Sequence, residues 1–331
     1  MNIHDTVLSC ILGLAVGDAL GVPFEFMPRG QAASADLRHM PSKSYYHTQP
    51  AGAWSDDTAM TLASMDSLIR CRGFDPDDMM QAFLGWYRFA DYTSTGETFG
   101  VGRTVYAALR MAMKGVPALL CGQAGIRDNG NGSLMRFAPT ALYCIFCDLP
   151  RKEALHVITQ SSAITHAHPI SLLGCLIYED FLRSLILERN KEQAYNSICN
   201  TDYTMVFPGD AVKAYERILN RKLPELREEN LRESGYVVDT LEAALWATLR
   251  ERSYADTITA VIRLGYDTDT VAAVTGSICG ALYGVEGIPL AWQDELLKRP
   301  YLQQFCERFS SMLSGVETFS LQCKANKLEL S

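Results

Sequence analysis

The sequence predicts an all-α protein whose helices pack into a single globule. Two observations support this prediction. Apolar residues recur at positions i, i+3, i+4 and i+7 in most long segments, which is the spacing of one buried helix face. Alternating strand-like runs between turn residues are nearly absent, and the β-branched runs are too short to build a sheet. Because no linker divides the chain, we expect a single compact domain over residues 1–331.

In chain order, the predicted helices begin with a glycine-rich one near residues 8–20 and end with another near residues 270–284. Between them, helical spacing is found over residues 58–70, 77–90, 102–115, 171–188, 210–220, 240–251 and 254–265. Three segments lack this spacing and are rich in proline, glycine or small polar residues. They predict loops at residues 27–54, 91–104 and 122–133, and long loops inside a domain are often functional.

The two terminal helices share a glycine repeat. Glycines recur every fourth residue in each of them, at Gly13, Gly17 and Gly21 and again at Gly276, Gly280 and Gly284. Residues i and i+4 lie on one helix face. Each glycine costs roughly 1 kcal/mol inside a helix relative to alanine, so the repeat needs a reason. We expect the two helices to cross closely, with their glycines facing another helix backbone.

Composition excludes several classes of partner. The net charge is −8 and no dense Lys/Arg cluster occurs, so we expect no nucleic-acid partner. The apolar start lacks a basic leader, and no other apolar run approaches the ~20 residues of a membrane helix, so we expect no membrane span. The ten cysteines have no framework spacing, which is typical of a reducing cytoplasm. We expect a cytoplasmic monomer.

Acidic residues crowd the start of two predicted helices. Asp267, Asp269 and Thr270 precede one apolar helical run, and Asp56 follows Ser55 at the entrance to another. One interpretation is that they only cap their helices. The other is a metal site. If the two clusters meet, like charges ~4 Å apart repel by roughly 4 kcal/mol at an effective dielectric of about 20. Hard divalent cations such as Mg²⁺ or Mn²⁺ would neutralise them.

Several motifs together resemble one known family. They read CILGLAVGDALGVPFEF, WSDDTAM, DNGNGSLMR, ITHAHP, GYVVDTLEAALW and LGYDTDTVAAVTGSICGALYG, in this order. Over roughly residues 5–290 the chain resembles the ADP-ribosylglycohydrolases, which include enzymes acting on dinitrogen reductase and on ADP-ribosyl-arginine and ADP-ribosyl-serine. The resemblance implies an all-α fold with a binuclear Mg²⁺ or Mn²⁺ centre at the base of an ADP-ribose cleft.

The resemblance also implies roles for individual residues. One group of metal ligands would be Ser55, Asp56 and Asp57, and the other Asp267, Asp269 and Thr270. Two metals can orient the distal ribose and activate a water. Glu25, Asp57 or Asp269 would then serve as the general acid or base, and the sequence does not choose between them.

The substrate contacts implied by the resemblance lie in three places. The loop "GNGSLMR" would approach the diphosphate, because glycine permits a close backbone contact. A histidine would lie near the substrate, and a tyrosine would stack on adenine. The residues concerned are Gly130, Asn131, Gly132, Ser133, Met135, Arg136, His166 and Tyr236.

The linkage that is cleaved depends on the loop near residue 100. Relatives often carry an aspartate where this chain has Gly100, before Gly102, and a glycine or small polar residue where it has Tyr266. We expect Glu97 to reach the same space as the missing aspartate and Gly100→Asp to favour arginine conjugates. The predicted function is hydrolysis of arginine-linked ADP-ribose on proteins. The alternatives are serine-linked ADP-ribose, free ADP-ribose derivatives, or a non-catalytic, crystallin-like ADP-ribose-binding protein.

Overall fold

The computed structural model describes residues 2–34, 36–41 and 43–328, with backbone alone over residues 316–328. Across these residues the chain forms α-helices, short 3₁₀ turns and no β-strand, which confirms the all-α prediction. The helices are α1 (Ile3–Gly21), α2 (Arg29–Ala32), α3 (Asp56–Cys71), α4 (Pro76–Phe89), α5 (Arg103–Ala112), α6 (Ala138–Phe146), α7 (Arg151–Ala163), α8 (Pro169–Glu188), α9 (Lys191–Asn200), α10 (Gly209–Ala214), α11 (Glu216–Leu219), α12 (Val237–Arg250), α13 (Tyr254–Ile262), α14 (Thr268–Tyr283), α15 (Leu290–Glu295) and α16 (Arg299–Leu328).

Each segment with helical spacing contains a helix, with one interruption. The segment 210–220 divides into α10 and α11 at Tyr215, whose φ of −95° and ψ of 10° leave the helical region. The Tyr215 ring is fully buried and its hydroxyl donates to the Ile170 carbonyl at 2.8 Å. This tertiary contact supports the break, and the local periodicity carries no sign of it.

The two glycine-rich helices, α1 and α14, cross in direct backbone contact at the centre of the fold. A Cβ atom at Gly17 would lie 2.1 Å from the Ala272 carbonyl oxygen, and one at Gly280 would lie 2.0 Å from the Ser9 carbonyl oxygen. Both distances are far shorter than any real Cβ contact, so only glycine fits. Comparable backbone clashes would occur at Gly13, Gly21 and Gly276. The predicted crossing is therefore confirmed.

Gly284 differs from the other repeated glycines. It follows the last residue of α14 with a φ of 74°, a left-handed conformation that favours glycine, and its N–H donates to the Gly280 carbonyl at 2.9 Å. Its role is to end the helix, so the repeat in α14 combines two packing glycines with a terminator.

Helix α1 forms the centre of the hydrophobic core. It is long and apolar enough to cross a membrane by length and composition alone, yet 94% of its most apolar window is buried inside the fold. Because α14, α16 and α3 pack around it, this apolar surface is accounted for by the core of the protein.

Candidate metal centre and substrate cavity

Three helix ends meet at one group of carboxylates. Asp18 lies near the end of α1, Asp57 in the first turn of α3 and Asp269 in the first turn of α14. One carboxylate oxygen from each lies within 4.8 Å of the others. The crossing of α1 and α14 produces this convergence, because a Cβ at Gly21 would lie 2.4 Å from the Cα of Asp269.

A second carboxylate group shares a member with the first. Glu25, Asp267 and Asp269 also place one oxygen each within 4.8 Å of one another. Asp269 belongs to both groups, so the two groups are adjacent, and together they could hold up to two cations. The structure thus brings together the acids that the sequence placed at two separate helix starts, together with Glu25.

Asp18 was missed by the sequence analysis. It is fully buried and accepts hydrogen bonds from the Ser55 N–H at 3.0 Å, from the Thr58 N–H at 3.0 Å and from the Thr58 hydroxyl at 2.6 Å. Asp18 on α1 therefore caps the start of α3 and fixes where the acids of α3 point. The available signal was a lone acid inside the apolar run "AVGDALG", because an unpaired acid in a buried helix is costly.

Burial raises the pKa of these carboxyl groups. For Asp18 burial raises the pKa to about 6, against the lowering effect of its hydrogen bonds from Thr58 and Ser55. For Asp57 and Asp269 burial raises the pKa well above the usual range, and repulsion from neighbouring acids adds to it. Each direction has the same physical cause, because several anions share one volume that excludes water.

The buried carboxylates lack the positively charged partners and hydrogen-bond donors that buried charges need. Among the described residues, no lysine or arginine forms an ion pair with Asp18, Asp56, Asp57, Asp267 or Asp269. The Asp57 Oδ1 atom is buried and has no hydrogen-bond partner in the part of the chain that the structure describes. A buried carboxylate oxygen without a donor is destabilising. A hard divalent cation fits this donor set, which consists of oxygen atoms alone.

Two hydroxyl groups flank the same aspartate. The Ser55 hydroxyl donates to Asp57 Oδ2 at 2.9 Å and accepts the Asp57 N–H at 3.2 Å, so Ser55 also caps α3. The Thr270 hydroxyl donates to Asp57 Oδ2 at 3.4 Å across the gap between α14 and α3. Ser55 and Thr270 therefore lie where the sequence analysis expected them, beside the carboxylates.

One cavity of about 730 Å³ opens over the carboxylates. Most of the residues predicted to bind metal or substrate contribute to its lining: Glu25, Asp56, Gly100, Gly102, Gly130, Asn131, Gly132, Met135, His166, Asp267, Asp269 and Thr270. The Asn131 amide donates to Asp267 Oδ2 at 2.6 Å, so the glycine loop is tied directly to the carboxylate group.

The prediction that Arg136 contacts substrate is wrong. Its guanidinium is fully buried, stacks over the Phe83 ring at 4.5 Å and donates to the Ser161 carbonyl and the Thr165 hydroxyl. The short helical turn after Gly132 directs this side chain into the core and away from the cavity. Burial lowers the pKa of Arg136 to about 10, and it has no carboxylate partner among the described residues.

Three further predicted contacts also lie off the cavity. The Ser133 hydroxyl is fully buried and accepts a hydrogen bond from Ser162 at 2.8 Å. Glu97 lies exposed on its loop and accepts a hydrogen bond from the Gln49 amide at 3.3 Å. The backbone at Tyr236 pairs with the glycine loop, and its ring packs against the hydrophobic core. None of the three side chains lines the cavity. Substrate contact by Ser133, Glu97 and Tyr236 stays a prediction.

His166 lines the cavity with a defined donor atom. Its Nδ1 lies 3.0 Å from the Thr165 hydroxyl, which accepts a hydrogen bond from Arg136 at 2.8 Å. The other acceptor near that hydroxyl is the Ser162 carbonyl at 3.5 Å, which already accepts two backbone N–H groups. Because the Nδ1 contact is the shorter of the two, we assign the Thr165 hydroxyl as donor to Nδ1, and on this assignment the proton of the neutral ring resides on Nε2. Nε2 lies 3.6 Å from where a Cβ of Gly130 would be, beside the cavity.

Burial is the main cause of the low pKa of His166. It lowers the pKa to about 3, and the positive charges of Arg136 and Arg103 lower it further. The ring is consequently neutral across the physiological range and can offer the cavity one fixed N–H donor.

Gly100 is pressed against the acidic cluster. It has a φ of 79°, and a Cβ there would lie 2.2 Å from Asp56 Oδ1. An aspartate at this position would be strained and would displace Asp56. The expectation that Gly100→Asp increases the preference for arginine stays a prediction, and the substitution would also press on the Asp56 carboxylate.

The sequence analysis also missed the residues around the cavity opening. His47 Nε2 is hydrogen-bonded to Glu25 Oε2, and the His47 ring packs at 5.2 Å from that of Phe99. Arg103 and Arg127 line the cavity together, with the Arg103 guanidinium donating to the Arg127 carbonyl at 2.6 Å. These residues lie in segments predicted as loops, where no periodic pattern indicates which side chains face inward.

Comparisons with known proteins agree with this geometry. The family model for ADP-ribosylglycohydrolase matches residues 1–318. ADP-ribosylarginine hydrolase Tri1 from Serratia proteamaculans is 32% identical, over 93% of this chain and 80% of the relative. ADP-ribosyl-[dinitrogen reductase] glycohydrolase from Rhodospirillum rubrum is 30% identical, over 89% of this chain and 91% of the relative.

A solved structure has the same fold. It is described as an ADP-ribosylglycohydrolase-related protein complex and matches with a TM-score of 0.76 at 31% identity, covering 94% of this chain and 99% of that one. Because the family model extends over nearly the whole sequence and the fold agrees, the chain belongs to the ADP-ribosylglycohydrolase family.

Proposed function

We propose that this protein is a metal-dependent hydrolase that removes ADP-ribose from arginine side chains of modified proteins. The observation that carries the proposal is the convergence of five carboxylates, from Asp18, Glu25, Asp57, Asp267 and Asp269, of which Glu25, Asp267 and Asp269 line one cavity. The arginine linkage is supported by relatives named for ADP-ribosylarginine and for ADP-ribosylated dinitrogen reductase.

The donor set fits two Mg²⁺ or Mn²⁺ ions. Asp57 and Asp18 belong to one group and Glu25 and Asp267 to the other, with Asp269 in both. Held by these carboxylates, such ions would supply Lewis-acid activation of the ribose hydroxyls and of the hydrolytic water. The unpartnered Asp57 Oδ1 supports this assignment, because coordination would satisfy it.

Glu25 is the residue best placed to transfer a proton. It follows the end of α1 and faces the cavity, and the His47 ring holds its other side through a hydrogen bond to Oε2. Asp57 and Asp269 lie in the first turns of α3 and α14, whereas Glu25 lies outside the helices, directly after the 3₁₀ turn at Val22–Phe24. We assign Glu25 the general acid or base role and not a ligand role, with Asp18, Asp57, Asp267 and Asp269 holding the ions.

The cavity provides complementary groups for the ADP part of the substrate. Gly130 and Gly132 line the cavity, and His166 offers its Nε2–H beside them. Arg103 and Arg127 add positive charge to the lining. Anionic phosphate oxygens suit these donors. We also propose that the protein acts as a cytoplasmic monomer.

The test is hydrolysis of defined peptides carrying ADP-ribosyl-arginine or ADP-ribosyl-serine, with Mg²⁺, Mn²⁺ or chelator. Asp57→Ala and Asp269→Ala should each abolish cleavage and weaken metal binding while the helical circular dichroism stays unchanged, because a cation loses a ligand. Asp256→Ala is the matched control, since Asp256 is exposed in the first turn of α13. Full activity in excess chelator would reject the metal mechanism, and cleavage of the serine conjugate alone would reject the arginine linkage.

A further inference from the structure

Two aromatic residues at the cavity opening have an unusual backbone conformation. Phe26 has a φ of 61° and Tyr266 a φ of 58°. The Phe26 N–H donates to the Tyr266 carbonyl at 2.6 Å, and the Tyr266 N–H donates to the Met27 carbonyl at 2.8 Å. A left-handed conformation costs an ordinary residue about 1–2 kcal/mol. Strain of this kind is usually found where function requires it.

The strain does not serve the hydrophobic core. The Phe26 side chain is 47% exposed and that of Tyr266 is 43% exposed, and both line the cavity. Tyr46 stands beside them, 66% exposed, with its ring edge-on to Phe26 at 4.9 Å. We call Phe26, Tyr46 and Tyr266 the aromatic rim. Since none of these three rings belongs to the hydrophobic core or packs against it, folding alone does not explain why the strained positions carry them.

The aromatic rim adjoins the carboxylates. Phe26 directly follows Glu25, and Tyr266 directly precedes Asp267. Consecutive Cα atoms are about 3.8 Å apart, so these two rings remain within about 10 Å of the carboxylate groups. In an ADP-ribose whose distal ribose lies at the carboxylates, the adenine is separated from that point by a diphosphate and a second ribose. The rim is therefore closer to the group attached to the distal ribose than to adenine.

The charged residues beside the aromatic rim indicate which chemical group the rim can bind. Its neighbours Glu25 and Asp267 are acidic, whereas the lining arginines Arg103 and Arg127 lie together elsewhere in sequence and structure. Aromatic faces beside carboxylates favour a cation, and a planar guanidinium stacks on aromatic rings better than an ammonium does.

We propose that the aromatic rim binds the guanidinium of the arginine that carries ADP-ribose, and so determines preference for the leaving group. This inference rests on the proposed function, because it places the anomeric carbon at the carboxylates. Phe26 and Tyr266 are specificity residues in this scheme, and the breaking bond lies between them and the carboxylate groups.

The test is Tyr266→Gly, compared with Tyr266→Phe and with Arg72→Gly. Glycine accepts the positive φ, so Tyr266→Gly should fold at least as stably as wild type. Its KM for an ADP-ribosyl-arginine peptide should rise about 3- to 30-fold, while the Kd for ADP-ribose in Mg²⁺ stays within about 2-fold. Tyr266→Phe should retain most of the wild-type KM. Arg72→Gly relieves a φ of 50° at an exposed helix end and should leave the KM unchanged.

The experiment distinguishes a failure of the aromatic-rim proposal from a failure of the proposed hydrolase function. An unchanged KM in Tyr266→Gly, or an equal loss of affinity for ADP-ribose, would overturn the rim as a guanidinium site, and the latter would place adenine there. If wild type does not cleave the arginine conjugate, the proposed function fails. The uncleaved conjugate can then be titrated against wild type and Tyr266→Gly, and equal affinities would refute the rim as well.

Discussion

Gly17→Ala should destabilise the protein although alanine is the better helix former. The added Cβ would lie 2.1 Å from the Ala272 carbonyl oxygen and 2.7 Å from its carbonyl carbon. Real Cβ atoms do not approach closer than 3.0 Å, so α1 and α14 must separate by about 0.9 Å at this point. Both obstructing atoms are backbone, so no side chain can rotate away.

The size of the effect follows from two opposing terms. Overpacking of a filled interior costs about 1–3 kcal/mol, and a backbone obstruction belongs at the upper end. Replacing a helical glycine with alanine returns up to about 1 kcal/mol. The net loss in free energy of unfolding should be about 2 kcal/mol. Because Asp18 is the next residue, the carboxylates should also shift, and a displacement near 1 Å can reduce a rate about 100-fold.

The assay is urea denaturation followed by circular dichroism, together with hydrolysis of an ADP-ribosyl-arginine peptide. Gly315→Ala in α16 is the matched control, because no atom lies within 4 Å of the Cβ position there. It should raise stability by up to about 1 kcal/mol and leave activity unchanged. If Gly17→Ala proves as stable as Gly315→Ala, the close crossing of α1 and α14 does not constrain the fold as argued.

Two other predictions concern pH and His166. Burial raises the pKa of Asp18 to about 6, so folded metal-free protein binds a proton that the unfolded chain releases near pH 4. In chelator, the free energy of unfolding should therefore decrease as the pH rises from about 4 to about 6. In Mg²⁺ the decrease should be less steep. Thermal melts that show the same pH dependence of stability in chelator and in Mg²⁺ would contradict this prediction. Thr165→Val should remove the donor to His166 Nδ1, mix the ring tautomers in ¹⁵N spectra and slow hydrolysis several-fold, whereas Thr165→Ser should retain Nε2–H. Protonated Nδ1 in wild type would refute the assignment.

The helices were predictable because their signal is local. Apolar spacing at i, i+3 and i+4 indicated most of the long helices, and the capping residue Ser55 marked the start of α3. The break between α10 and α11 was not predictable, because it coincides with the contact between Tyr215 and Ile170, which lie 45 residues apart in sequence. Periodicity within a window contains no information about a partner at that distance.

The substrate contacts were the least reliable part of the sequence analysis. Arg136 follows the glycine loop by only a few residues, and that closeness suggested a shared role in phosphate binding. The chain forms a turn after Gly132, with the Met135 N–H donating to the Asn131 carbonyl at 3.0 Å, so neighbouring side chains point in different directions. Met135 reaches the cavity, whereas Arg136 stacks on Phe83. A shift of one residue on a helical turn is enough to move a side chain to another face.

Asp18 shows why a site assembled from distant segments is only partly visible in sequence. The sequence displayed glycines on one helix and acids before another as two separate features. In the structure they are one feature, because a Cβ at Gly21 would collide with the backbone of Asp269. Glycine at that crossing lets the end of α1 reach the start of α14, and Asp18 then caps α3 from the same end. The proposed metal centre therefore depends on the glycines as directly as on the carboxylates, since any larger residue at the crossing would separate the acids that we propose hold the cations.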